Sequence, residues 1–272
     1  MTAQASRAAV FARLHDTGVF VVANASDPGS ARLLGGLGFP ALATTSAGLA
    51  FALGRPDASN LLRRDEVLGN AAAIAAATDL PVSADLESGY GQTPQDVAET
   101  VRLAAAAGLV GCSIEDATGV PDAPVLDLAE AVDRVAAAAA AARGLPFDFV
   151  LTARSENFLY GRPDLADTIA RLQAFEQAGA DVLYAPGLPD AAAVRAVCSS
   201  VGRPVNVLAS PALGPVAELA SLGVRRVSLG SAFARAALGG LLTAATEVIE
   251  HGTLGFLTGA PTYARLNSLL RN

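Results

Sequence analysis

Three carboxylates close short apolar runs in this sequence: Asp85 and Glu87 follow Leu80-Pro-Val-Ser-Ala84, and Glu115 follows Gly111-Cys-Ser-Ile114. Acids offered from the ends of neighbouring strands are hard oxygen donors, the kind that hold Mg2+ or Mn2+ through one or two direct bonds and several waters. Arg154, directly after Leu151-Thr-Ala153, would bring a guanidinium to the same place, where it could grip a substrate carboxylate through two parallel hydrogen bonds. The small-residue turn Thr44-Thr-Ser-Ala-Gly48 could turn backbone N–H groups onto an anionic oxygen. Asn206 ends another such run. Each residue also has a plainer reading. An acid after a strand can cap a helix or solvate a loop, and Arg154 could serve an ion pair with Glu156 or Glu115. Together they describe metal-assisted chemistry on a small acid.

Composition removes several competing chemistries. All 19 basic residues are arginine, so no lysine exists to form a Schiff base or to serve a P-loop. The two histidines, His15 and His251, fall in terminal helical segments away from every strand end, which argues against histidine ligation or acid–base work. Cys112 and Cys198 are far apart in apolar surroundings and suggest neither a disulfide nor a zinc site. A net charge of −7 without basic clusters disfavours nucleic acid. No signal-peptide pattern opens the chain, and no apolar run is expected to reach the roughly 20 residues that span a bilayer. The expectation is a soluble, cytoplasmic protein.

Such residues need a scaffold that presents strand ends together. Short β-rich runs at Val19–Ala23, Ala41–Thr45, Val82–Asp85, Gly111–Ile114, Phe149–Thr152, Val182–Tyr184, Pro204–Val207 and Arg226–Leu229 alternate with segments of helical period. Those segments are Gly29–Leu37, Arg63–Thr78, Pro94–Ala107, Leu126–Arg143, Asp164–Ala178, Asp190–Ser200, Leu213–Ser221 and Ser231–Glu250. Glycines at 38, 108, 179 and 223 stand where a left-handed residue would stop a helix before the next strand. Eight such units within 272 residues predict one α/β domain over 1–272, a TIM (β/α)8 barrel, with an apolar tail over about 252–272. A doubly wound sheet fits less well, because the glycine-rich dinucleotide turn after the first strand is missing.

Seven segments, in order, resemble the isocitrate lyase / phosphoenolpyruvate mutase superfamily in its phosphoenolpyruvate-mutase-like branch. They are Asn24-Ala-Ser-Asp27 with Gly29-Ser-Ala-Arg32, Ala43-Thr-Thr-Ser-Ala-Gly48, Gly54-Arg-Pro-Asp57, Ala84-Asp-Leu-Glu-Ser-Gly-Tyr-Gly91, Gly111-Cys-Ser-Ile-Glu-Asp116, Thr152-Ala-Arg-Ser-Glu156 and Pro204-Val-Asn-Val-Leu208. The resemblance implies a barrel whose eighth helix is exchanged between subunits of a homotetramer or dimer. It also implies Mg2+ (or Mn2+) and a small α-oxo or 2-hydroxy carboxylate, in which a C–C or P–C bond breaks or forms through an enolate-like species. By the same resemblance Asp85 binds the metal directly, and Asp57, Glu87 and Glu115 hold its waters. Asp57, Arg154 and Glu115 form the catalytic set, and Ser46, Ala47, Gly48, Arg154 and Asn206 contact the substrate.

The sequence also departs from that family. The segment Asp116–Val125 takes the place of the gating loop but lacks the Lys-x-Cys-Gly whose cysteine is the acid of the isocitrate and methylisocitrate lyases. It lacks the Lys and Asn of phosphonate-processing members too. Tyr184-Ala-Pro186 replaces a polar strand end, and Ser26 stands where many relatives carry an aromatic residue, which would enlarge the pocket. The expectation is a Mg2+-dependent carbon–carbon lyase or decarboxylase. A phosphonomutase or phosphonopyruvate hydrolase, and a non-catalytic ligand-binding barrel, are the alternatives.

Overall fold

In a computed structural model that describes residues 2–57 and 61–271, eight parallel strands pair in sequence order and the eighth closes on the first. The strands are β1 (Phe20–Asn24), β2 (Ala41–Ala43), β3 (Val82–Asp85), β4 (Gly111–Glu115), β5 (Val150–Arg154), β6 (Val182–Tyr184), β7 (Val205–Leu208) and β8 (Arg226–Ser228). The helices are α1 (Ala3–Arg13), α2 (Pro28–Gly36), α3 (Ser46–Ala52), α4 (Arg64–Ala76), α5 (Pro94–Ala106), α6 (Leu128–Arg143), α7 (Leu165–Gln177), α8 (Ala191–Ser200), α9 (Val216–Ser221), α10 (Ala232–His251) and α11 (Tyr263–Leu269). The expected (β/α)8 barrel is present, and all eight predicted strands overlap an observed one.

Local chemistry sets the helix starts. Asp27 accepts from the Ser30 amide while the Ser30 hydroxyl returns to the Asp27 amide, with Pro28 fixing the first turn of α2. Thr93 and Asp96 form the same reciprocal cap on α5, again with a proline in the first turn. Removing such a cap costs about 1 kcal/mol. The four expected stop glycines at 38, 108, 179 and 223 all have positive φ.

The main core lies between sheet and helices, where Ile114, Leu151, Phe149, Leu172, Phe175 and Leu183 are almost fully buried. Each large apolar side chain so buried contributes about 1.5–3 kcal/mol. Alanine on the inner faces of α4, α5 and α6 lets those helices approach closely. A second, smaller cluster closes the amino-terminal end of the barrel, where Ala8 and Phe11 of α1 pack on Phe20, Val22, Val150 and Val182.

The differences from expectation have local causes. The amino-terminal helical segment is α1, capped by Thr2, and it docks as a plug on the barrel floor, a placement the sequence did not indicate. The turn expected at Thr44–Gly48 is instead the start of α3, with the Thr45 hydroxyl accepting from the Gly48 amide. β5 runs on to Arg154 because that residue pairs with Glu115 of β4 and Tyr184 of β6. Contrary to the expectation of no span-length segment, α10 is 20 residues long and apolar enough to meet that criterion. Its first turn meets the barrel, with Ala234 beside Gly48 and the Phe233 ring edge-on to Phe39, and the helix follows β8 directly. None of its side chains is buried. The tail over 252–272 carries α11, tied to α2 by the Arg32 guanidinium donating to the Leu270 carbonyl at 3.0 Å.

Candidate active site

The carboxyl ends of β2 to β5 bring the predicted acids to one rim. Asp85 is the last residue of β3, and its Oδ2 accepts from the amide and hydroxyl of Ser46, at 3.2 and 3.0 Å. Its Oδ1 accepts from Ser113 at 3.3 Å and from Arg154 Nη1 at 3.0 Å. The same Nη1 lies 3.1 Å from Glu115 Oε2, and Arg154 Nε donates to Glu156 at 2.9 Å. The α3 amino terminus does hold an anionic oxygen, and that oxygen belongs to the protein's own Asp85.

Glu87 sits two residues past β3 with φ 47°, a left-handed backbone that a non-glycine residue adopts only under constraint. Tyr90 in the same loop has φ 54°. The loop thereby turns Glu87 back over the mouth. A cavity of about 290 Å3 at the mouth is lined by Ser46, Asp57, Glu87, Glu115, Arg154 and Glu156, among others. Tyr160, from the loop after β5, completes one wall. Asp57 therefore shares the mouth with the acids, as expected.

Charge is unbalanced here. Among the described residues, four carboxylates, at 85, 87, 115 and 156, surround the one guanidinium at the mouth, that of Arg154, and Asp57 lines the same cavity. Burial, then the neighbouring charges of Asp85 and Asp57, push the Glu87 carboxyl up to about 7. Burial also holds Glu115 well above the usual carboxylate range, with Arg154 opposing and Glu156, Asp85 and Glu87 reinforcing the rise. Burial alone would lower the pKa of Arg154, but Glu115, Glu156 and Asp85 reverse this and keep it charged.

Among the described residues no three metal-ligating side chains already converge on one point. The acids converge on the Arg154 guanidinium instead. The donor set is nonetheless all hard oxygen, and its uncompensated charge fits a divalent cation.

The remaining predicted residues divide. Asn206 lies deeper than the mouth, inside the barrel, and donates to Ser228 at 2.9 Å; it shares an interior cavity with Asp85 and Arg154. Gly48 is buried behind the rim, where an added Cβ would meet Thr45 at 2.5 Å and Ser26 at 3.0 Å. Ala47 and Gly48 are not among the residues lining either cavity. Ser26 lies beside Gly48 of α3 and is not among the residues lining the mouth. Asp116, grouped with Glu115 in sequence, turns away to accept from the Glu156 amide at 2.8 Å and from Arg171 at 3.1 Å. Asn24 ties the barrel seam, its Oδ1 accepting from the Leu229 and Gly230 amides.

The loop segment 116–125 is a small self-bonded hairpin. Ala117 pairs with Val125, and the Thr118 amide donates to the Pro124 carbonyl at 2.9 Å. Ala117 and Gly119 touch the mouth. Sequence reasoning did not single out Tyr160 or Arg226, and set His15 aside; none of the three ends a β-rich apolar run. Tyr184 lies under Arg154, the guanidinium carbon 5.1 Å from the ring centroid.

Comparison with known proteins agrees with this geometry. A solved protein of Burkholderia cenocepacia J2315 described as a lyase/mutase is 53% identical over 99% of this chain and 97% of its own, with a TM-score of 0.96. The oxaloacetate decarboxylase of Paraburkholderia xenovorans (strain LB400) is 33% identical, covering 84% of this chain and 77% of its own. A phosphonopyruvate hydrolase solved with oxalate and Mg2+ is 26% identical with a TM-score of 0.85, covering 97% of this chain and 94% of its own. Residues 11–249 match the family described as phosphoenolpyruvate phosphomutase, and with eight strands closing around this acidic mouth the chain belongs to that family.

Proposed function

We propose that the chain is a Mg2+- or Mn2+-dependent carbon–carbon lyase or decarboxylase acting on a small α-oxo or 2-hydroxy carboxylic acid. The observation that carries this reading is the surplus of carboxylate over cation at the barrel mouth. Asp85 is the candidate direct ligand, and Asp57, Glu87 and Glu115 would hold metal-bound waters. A divalent cation there supplies a Lewis acid for charge developing on a carbonyl oxygen. The chain's own residues do the rest. Arg154 would donate to the substrate carboxylate, and the Ser46 amide and hydroxyl, with Ala47 and Gly48 behind them, would border it. The 116–125 hairpin would shield the mouth from water. The decarboxylase named above supports carbon–carbon cleavage.

The test is direct. Purified protein with MgCl2 is given oxaloacetate and panels of malate and citrate derivatives, and pyruvate, glyoxylate and CO2 are assayed with and without EDTA. Product from at least one acid, lost on chelation, supports the reading; no product from any removes it. The likeness to the phosphonopyruvate hydrolase keeps P–C cleavage as the second reading. A change in the 31P spectrum of phosphonopyruvate would favour it.

The reading extends to assembly and place. The exposed apolar face of α10, with Leu241, Leu242 and Ile249, would pair with a second subunit in a soluble, cytoplasmic homo-oligomer. Exchange of α10 between paired subunits is part of the proposal.

A further inference from the structure

Below the mouth, the barrel interior departs from the aliphatic layers that usually fill this fold. Glu115, Arg154, Tyr184, Asn206 and Arg226 are register partners across β4 to β8, so they share one face of the sheet. The row descends. Glu115 ends β4 at the mouth, whereas Arg226 opens β8 and reaches His15 at the floor.

Arg226 is 5% exposed. Its Nε donates to Asn206 Oδ1 at 2.9 Å, its Nη2 to Thr152 Oγ1 at 2.9 Å, and its Nη1 meets His15 Nε2 at 3.3 Å. All three partners are neutral. His15 Nδ1 lies 2.9 Å from the Phe11 carbonyl, which assigns the proton to Nδ1 and leaves Nε2 to accept. Burial keeps that ring uncharged, lowering its pKa to about 3. Among the described residues no carboxylate lies within ion-pair distance of Arg226, although every other buried arginine has one.

A buried cation with neutral partners alone is costly until an anion joins it. Guanidinium has five N–H bonds, and three are spent on these neighbours. Beside it lies an interior cavity of about 60 Å3, bordered by Arg226, Asn206, Ser228 and Tyr184, with Asp85 and Arg154 at its upper end. That space admits a carboxylate-sized group but not a whole di-acid. Arg154 borders both this cavity and the mouth, and its ion-pair partner Asp85 borders the cavity, so the two spaces adjoin at that pair.

We propose that the interior cavity is a carboxylate subsite with Arg226 as its charge partner, taking the distal carboxylate of a di-acid whose oxo-acid end lies at Asp85 and Arg154. The inference rests on the lyase reading and narrows its substrate to dicarboxylates. The same chemistry would accept a free small anion, and the experiment separates the two.

Dissociation constants are measured by calorimetry on the full chain with MgCl2 for pyruvate, 3,3-difluorooxaloacetate and 2-oxoglutarate, with formate as the free-anion arm. At least one di-acid is expected to bind at least ten-fold tighter than pyruvate. Arg226→Gln should abolish that preference while changing the pyruvate constant less than three-fold, and Arg226→Lys should retain part of it. Equal loss for both ligand types, or an intact preference in Arg226→Gln, overturns the proposal. Formate that competes with pyruvate-bound protein for Arg226 while neither di-acid is preferred assigns the cavity to free anions and overturns it as well. Should both variants fail to fold, wild-type protein decides, because absence of any di-acid preference is sufficient to reject the subsite. Failure of the lyase reading is read separately, as loss of Mg2+-dependent pyruvate binding.

Discussion

Asp85 is held by four donors from three different elements, Ser46, Ser113 and Arg154, before any ligand arrives. Its geometry is therefore fixed in advance, which is what a direct metal ligand requires. Asp85→Ala should lower kcat/KM by about 10^3 or more and weaken Mg2+ binding, as followed by activity and calorimetry. His15 makes a different prediction at this scale. Its folded pKa lies near 3, below the unfolded value of 6.5, so the unfolded chain binds more protons and stability falls as pH drops through that window. Full protonation would cost about 5 kcal/mol. In urea titrations from pH 7 to pH 4, His15→Gln should lose less stability than wild type; parallel curves would refute the assignment. Asp85, Glu87, Glu115 and Arg154 were legible in sequence because each ends a recognisable apolar run. Arg226 was not, and Tyr184 was noticed only as a departure from the family's polar strand end. Strands of three residues with both faces covered give no alternation, so an inward polar residue cannot be told from an edge residue.

The loop from β3 to α5 shows how an element carries a functional side chain. Glu87 and Tyr90 take left-handed backbones on either side of Gly89, which at φ 93° has Val97 of α5 so close that a Cβ would meet it at 2.8 Å. The loop is thus pressed against the start of its helix. Gly89→Ala should destabilise by about 1–3 kcal/mol and weaken Mg2+ affinity, since both the backbone angle and the space oppose it. Denaturant midpoints and calorimetry would check both effects. Sequence reasoning found Asp85 and Glu87 by the apolar run they follow but read the Thr44–Gly48 segment as a turn. Seven residues are too short for helical periodicity to register, and only the Thr45 cap marks where α3 begins.

At the scale of the whole molecule, the alternation of runs was sufficient to reveal the closed barrel, while the place of α1 at its floor was missed because nothing in a lone terminal helix says where it docks. The outer layer is uneven. α5 and α6 bury most of their inner faces, whereas α10 buries nothing and leaves Leu242 68% and Ile249 85% exposed. On the proposed pairing through α10, a double variant, Leu242→Glu with Ile249→Glu, should lower the mass seen in light scattering to that of a monomer, and an unchanged mass would exclude this face as the contact.

A helix of 20 residues standing alone in water is barely worth forming. On the proposed pairing, the ordering of α10 would be a second-order event, completed by collision and not by the chain itself. After dilution from urea, the last refolding phase should quicken in proportion to protein concentration, while the phases that build the barrel keep their rates.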